Sequence, residues 1–537
     1  MSRIVVQDPP PLVSGPRLRS AVSRREFVRL LSGLGVGGLA LGATPWPLGC
    51  AALDVAFPEG VICGDPRPDG AVIWTRAFAA DPGRPLNMLW VVAEDPDLQQ
   101  VVAGGVARAQ PGSANSVHVP VQGLDPDRWY HYGFFSGDGA SPVGRLRTAP
   151  APGSQPDRLR YAFASCQQRN DSFYVAHRAI AGEDIDFLMH LGDYIYVSDG
   201  GDITLDDYRR RWAAFKSNPL LQQMQASVPL VAMFDDGEFY NGVDRTGDPD
   251  RLAAARTAWF ENMPIVRPAD DRAHRAFDWG DLASVFMIDV RSYRDPEVPP
   301  NEFGVFFGLD IQNTQKPGVE AMFAEGRTTL GAEQKRWLLD GMEERSDAWK
   351  LIGNPYNINP WRTLDADPGP AARPADPDFQ INGGAYVSNE AWDDYQAERR
   401  EILEEFAARG IGDVVFSSAH THFFIASELM ADFDDPASPS AAVDFVSGSL
   451  TADPDPRTLA PVETLRIGEE LFRLNNAPYM KGIDLVEQGY VIVEVTPEET
   501  LVDFRGIDTF DENAEPYTFA RYRVARGSST IEVLPVE

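Results

Sequence analysis

The sequence predicts a mixed α/β (α+β) protein in two parts, a small N-terminal β-sandwich and a larger α/β unit. Three observations carry this. The chain has 537 residues, 43% of them hydrophobic, 10% aromatic and 24% charged, which is globular composition with material for more than one domain. Residues 54–150 read as short alternating strands separated by Gly, Pro and Asp turns. Beyond the linker-like stretch Thr148-Ala149-Pro150-Ala151-Pro152-Gly153, strands alternate with helix-length segments, the pattern of a buried sheet covered by helices. This larger unit is expected over 155–510, with a C-terminal segment over 511–537. The net charge of −32, from 80 acidic and 48 Lys and Arg residues, argues against nucleic acid and anionic membranes as partners. It leaves room for a local anion pocket built with metal ions.

At the N-terminus, Ser23-Arg24-Arg25-Glu26-Phe27-Val28-Arg29-Leu30 precedes an apolar, Gly-rich run ending at Ala43. Residues 1–50 thereby resemble a twin-arginine export signal, a route that carries folded proteins. The run is too short and too rich in Gly for a transmembrane span, and no later window reaches span length. It ends in Pro47-Leu48-Gly49-Cys50, where Cys50 resembles the lipid-anchor position of a lipoprotein. The expectation is a periplasmic or extracellular protein that uses the twin-arginine export machinery. Of three cysteines, Cys63 sits in an apolar stretch as a small core residue, and the remaining Cys166 does not suffice for a disulfide framework.

In the first part, Ala71–Arg76, Asn87–Val92 and Trp129–Phe135 are expected strands. In the second, Arg160–Ser165, Phe187–Leu191, Pro229–Phe234, Val285–Ile288, Trp349–Ile352 and Val414–Phe416 are expected strands, with helices at Phe173–Ala181, Leu205–Gln225 and Trp392–Ala408. Polar residues repeatedly follow the strands: Cys166, Asp193, Asp235 and Asp236, Asp289, Asn354, His420 and His422. In α/β folds ligands bind at those carboxyl ends.

Asp193, Asn241, His420 and His422 are oxygen and nitrogen donors; Cys166 and Tyr196 are softer ones. A thiolate or phenolate suits a trivalent or softer metal, iron above all, and a carboxylate can bridge to a neighbouring ion. Two such ions could clamp a phosphoryl group and acidify a water. In Gly192-Asp193-Tyr194-Ile195-Tyr196, Asp and Tyr three residues apart could surround one centre at a strand-to-loop turn. His190, inside an apolar strand, reads as a core or supporting residue, and Asn354, before Pro355, as a turn residue. Asp235 and Asp236 fit either acids that support the ligands or turn residues. Arg291 fits either phosphate binding or a buried salt bridge with Asp289 or another acid.

These residues resemble the alkaline phosphatase D branch of the metallophosphoesterases, from residue 57 onward. The resemblance rests on Gly60-Val61-Ile62-Cys63-Gly64-Asp65-Pro66, Trp74-Thr75-Arg76, Phe163-Ala164-Ser165-Cys166-Gln167, His190 through Tyr196, Asp289-Val290-Arg291-Ser292-Tyr293-Arg294, Leu330-Gly331-Ala332-Glu333-Gln334 and Gly489-Tyr490-Val491. It implies a metallophosphatase-type αββα sandwich, a small phosphoester substrate, and iron with calcium as cofactors. Carried over by position, it points to Cys166, Asp193, Tyr196, Asn241 and His422 as metal ligands, with Asp193, Asn241 and His422 at the catalytic centre.

Two positions depart from the family. Its Asp-Asp-His-Glu is here Asp235-Asp236-Gly237-Glu238, which removes an imidazole suited to protonating a leaving group. Its Gly-Asp-x-His is here Ala419-His420-Thr421-His422, which makes His420 a further candidate ligand and admits zinc or manganese beside calcium. Three readings follow: a phosphoesterase whose leaving-group acid is replaced, with Glu238 one candidate; a family member that binds phosphate or metal without efficient turnover; and an enzyme in which Gly237 opens room for a bulkier substrate.

Overall fold

The computed structural model describes residues 55–536, apart from 169–171, 198–202, 299–304, 307–308, 311–318, 363–390, 436, 453–456 and 458–459. The export-signal and Cys50 readings lie outside the described residues. Two large sheets face each other. In one, Leu159–Ala164, Phe187–Leu191 and Leu230–Met233 run parallel as central strands. In the other, Ala283–Met287, Trp349–Asn354, Val414–Ser418 and Ser440–Val446 are parallel neighbours.

Side chains alternate across each strand, so successive residues serve different layers. Val285, Met287, Leu351 and Val415 point into the core shared with the first sheet. Phe286, Ile288, Ile352 and Phe416 point outward under the helices Gly331–Glu344 and Gln396–Arg409. On the far face of the first sheet lie Val175–Gly182, Leu205–Lys216, Pro219–Ser227 and Pro249–Asn262. Four layers result, helices outside two sheets. The segment expected as one helix over Leu205–Gln225 is two, because Asn218 caps a new helix by accepting from the Leu220 and Leu221 N–H groups and Pro219 starts it.

The N-terminal stretch does form a β-sandwich, with Val61, Ile73 and Val119 packed against Met88, Tyr132 and Phe134. One of its layers is not separate, however. Strands Val61–Arg67, Gly70–Arg76 and Ser116–Val121 extend the first large sheet, joined through Leu230 opposite Gly64. A Cβ on Gly64 would lie 2.4 Å from the Leu230 carbonyl oxygen, so this junction requires glycine. At the other edge, the C-terminal segment adds Tyr517–Ala525 and Glu532–Leu534 to the same sheet.

Because the central strands are parallel, their carboxyl ends share one rim of the sandwich. Ser165 bridges Ser449 there, tying the two sheets together beside Cys166. Among the described residues, no helix is long and apolar enough to cross a membrane.

Candidate metal centre

Backbone conformation at this rim is unusual. Cys166, Asp193, His420 and His422 all have positive φ, at 60°, 53°, 79° and 61°. None is glycine, so each carries a backbone cost that the surroundings must hold in place, a pattern concentrated at functional sites. The surroundings are visible. The Cys166 N–H donates to the Gly192 carbonyl and the Gln167 N–H to the Asp193 carbonyl, while Thr451 and Ala452 N–H groups donate to the Cys166 carbonyl. Gly192, with φ of 95°, allows the neighbouring turn to close: a Cβ there would sit 2.4 Å from the Asp235 backbone nitrogen.

Two donor groups meet on Asp193. In the first, atoms of Cys166, Asp193 and His422 lie within 4.8 Å of one another. The Cys166 Sγ is 3.5 Å from Asp193 Oδ2, and the Tyr196 hydroxyl is 3.0 Å from His422 Nε2. Four sequence candidates thus converge. In the second group, Asp193, Asp235, Asp236 and His420 lie within the same limit. His420 Nδ1 is 2.7 Å from Asp235 Oδ2, and Arg291 forms a fully buried ion pair with Asp235. Of the two readings of Arg291, the salt bridge holds, with Asp235 in place of Asp289; the Asp289 carboxylate instead accepts the Arg291 and Ser292 N–H groups.

The groups differ electrostatically. Burial raises the Asp193 pKa well above the carboxylate range, and Asp236 and Asp235 raise it further. Burial and the Asp193 charge likewise raise the Cys166 thiol and the Tyr196 phenol. Around Asp235, burial is outweighed by Arg291 and His420, which hold its pKa below the usual value. Burial alone would lower the His420 pKa; Asp235 overrides it and pushes the ring up to about 10.

Cations fit this donor set. Three buried carboxylates, a thiol, a phenol and two imidazoles fall in two groups that share Asp193, and burial with the Asp236 and Asp235 charges raises the Asp193 pKa against the lowering effect of His420. A bound cation would reverse that shift and ionise the thiol. His420 donates through Nδ1 to the Asp235 carboxylate, which leaves Nε2 as its metal-facing atom, the arrangement that fixes metal-binding imidazoles.

Asn241 lies on an exposed turn just past Asp236, whose Oδ2 accepts the Gly242 N–H at 3.0 Å. Asn354 is fully buried and donates to the Ser418 hydroxyl at 3.0 Å, a contact within the second sheet. His190 is buried against Tyr194 with neither ring nitrogen paired among the described residues, and burial lowers its pKa to about 3.

Two expectations fail on geometry. Glu238 has no exposed surface, and its carboxylate accepts the backbone N–H groups of Asp193, Tyr194 and Asp235. It pins the two loops together and cannot reach a leaving group. Gly237 opens no room either. Its N–H donates to Asp193 Oδ1 at 2.9 Å, and a Cβ would lie 2.6 Å from both that oxygen and the Ile195 carbonyl. Sequence reasoning left Asp235 and Asp236 undecided between ligand support and turn; both belong to the second group. The signal available was their place immediately after a parallel strand.

An αββα sandwich whose strand ends gather carboxylates, a thiol and imidazoles on a shared Asp defines a phosphoester hydrolase class. The comparisons name the branch. Residues 161–504 match the PhoD-like phosphatase family and residues 47–150 its N-terminal domain. Alkaline phosphatase D of Bacillus subtilis (strain 168) is 31% identical over 528 residues, covering 90% of this chain and 84% of the relative. A solved structure of PhoD superposes with a TM-score of 0.76 at 28% identity, covering 91% of this chain and 94% of that one. The chain belongs to the PhoD-like phosphatase family, and it is a phosphatase hydrolase.

Proposed function

We propose that this phosphatase is an exported, metal-dependent enzyme that hydrolyses small phosphate mono- or diesters. The observation that carries the reading is the convergence of Cys166, Asp193 and His422 within 4.8 Å, with Asp193 shared by Asp235, Asp236 and His420. Cys166, Asp193, Tyr196 and His422 would hold one cation, and this thiol and phenol set suits iron. Asp193, Asp236, His420 and the exposed amide of Asn241 would hold a second. Calcium suits the carboxylate and amide oxygens, and zinc or manganese suits the imidazole. Such cations supply Lewis acidity toward water and the phosphoryl oxygens. The chain itself orients the donors. Glu238 fixes the Asp193 and Asp235 turns, the Gly237 N–H fixes one Asp193 oxygen, and Arg291 with Asp235 fixes the His420 ring. Export rests on the paired Arg24 and Arg25 ahead of an apolar run.

A second reading, binding without efficient turnover, has Gly237 in its favour, since no side chain there can protonate a leaving group. Hydrolysis of a chromogenic monoester and a diester by protein purified without chelators separates the two. Turnover that a chelator abolishes supports the enzyme. Absence of turnover on both esters by fully metallated protein supports the binder.

A further inference from the structure

Beside the metal centre lies a second, smaller feature that this chemistry does not use. A cavity of about 60 Å³ opens between the loop Phe239–Arg245, the helix Pro249–Asn262 and the turn at Arg291 and Ser292. Its lining includes three arginines, Arg245, Arg256 and Arg291, and one acid, Asp244. The acid is turned to its own loop: Asp244 Oδ1 accepts the Thr246 N–H and hydroxyl. Arg245 is exposed and paired with Asp295. Arg256 is the distinctive member. It is half-buried and donates to the Ser292 hydroxyl at 2.6 Å and the Asp271 carbonyl at 3.3 Å, yet no carboxylate lies within ion-pair distance of it among the described residues. In a chain with 80 acidic residues, this guanidinium on the wall of a cavity is held by neutral oxygens and by the rings of Phe234 and Phe239, at 5.5 and 5.9 Å.

Arg291 forms the wall common to the two features. Its Nη2 lies 3.8 Å from Asp236 Oδ1 and 3.5 Å from His420 Nδ1, and the same residue lines the cavity. A molecule anchored at the metal centre would therefore have the Arg256 cavity one side chain away. The cavity suits one carboxylate or phosphoryl group, and it is walled partly by the apolar ring of Phe239.

We infer that the cavity is an anion subsite for a second acidic group of the substrate, so that the preferred esters carry a carboxylate or further phosphoryl group close to the scissile phosphate. Arg256 is its specificity determinant. The inference rests on the phosphoesterase reading for its anchor, and it names the substrate class within it.

Calorimetry on the metallated protein tests this with ethylphosphonate, phosphonopropionate and ethylenediphosphonate, which differ only in the second acid. Wild type is expected to bind at least one of the two acids about tenfold more tightly than ethylphosphonate. Arg256→Gln is expected to bring that ratio near one and leave ethylphosphonate affinity unchanged, and the exposed Arg245→Gln to reduce it less. Equal affinities in wild type, or a preference that survives Arg256→Gln, overturns the subsite, as does failure of all three to bind. Chromogenic ester hydrolysis on the same samples separates the claims: turnover without acid preference removes only the subsite, and acid preference without turnover removes only the enzyme.

Discussion

The two donor groups that share Asp193 solve the same problem in opposite ways. Around Asp235, the chain brings its own positive charge: Arg291 is buried against the carboxylate and rests on the Tyr356 ring at 4.8 Å, and His420 adds a second cation. Around Cys166, no Arg or Lys forms an ion pair with Asp193 among the described residues, and Asp193, Cys166 and Tyr196 are all pushed toward their neutral forms. Buried acids without counter-charge are costly to fold. Their persistence at one rim marks where external cations complete the structure, whereas Asp235 is already balanced by Arg291. Stability and function are thus divided between the two sides of a single carboxylate.

The largest way to break that contrast is Arg291→Met. It leaves His420 to balance Asp235 and Asp236 without the guanidinium, and unfolding in denaturant with chelator present should show a loss of about 3–5 kcal/mol. A change under 1 kcal/mol would mean that the ion pair is not what neutralises this side.

Asp193→Asn should do the reverse. With the buried acid removed, the metal-free protein should unfold at the same or higher denaturant concentration than wild type, while kcat falls roughly thousandfold. Clear destabilisation of the metal-free variant would show that Asp193 is compensated without a cation.

Gly237→Ala sharpens the contact between the groups. The added methyl has no space between Asp193 Oδ1 and the Ile195 carbonyl, so stability should fall by about 1–3 kcal/mol, read from denaturant midpoints. An unchanged midpoint would restore the idea of free room there.

A pH-dependent effect lies behind the first group, where His177 is buried with its Nε2 2.8 Å from Gln167 Oε1. Burial lowers its pKa to about 3. Its ring stays neutral in the folded chain while the unfolded chain takes up a proton, so it contributes stability above pH 6.5 that is lost as pH falls toward 3, by about 1.4 kcal/mol per unit. His177→Gln should flatten the stability profile by that slope across this window; an unaltered slope would count against a neutral buried ring.

Much of this was legible in the sequence because strand ends are easy to read. The expected strand Phe187–Leu191 matches to the residue, and the polar residues after it and its neighbours, Cys166, Asp193, His420 and His422, are among those that meet at the rim. The sheet partners were not legible. The pattern marks Ala71–Arg76 as a strand but does not say that it and Val61–Arg67 extend the sheet of Leu230–Met233, because that junction depends on one close approach at Gly64. Charge balance was equally hidden. Nothing near Arg291 in sequence indicates Asp235 as its partner, and nothing near Glu238 indicates the three backbone N–H groups that its carboxylate accepts.

The central claim is that the Asp193 side is a cage for cations that the chain itself does not supply. Elemental analysis of wild type and Asp193→Asn, both purified without chelators, tests it most directly. The account predicts about two cation equivalents per wild-type chain and less than one in the variant. Wild-type protein free of bound cations, or a variant that keeps the full complement, would contradict it.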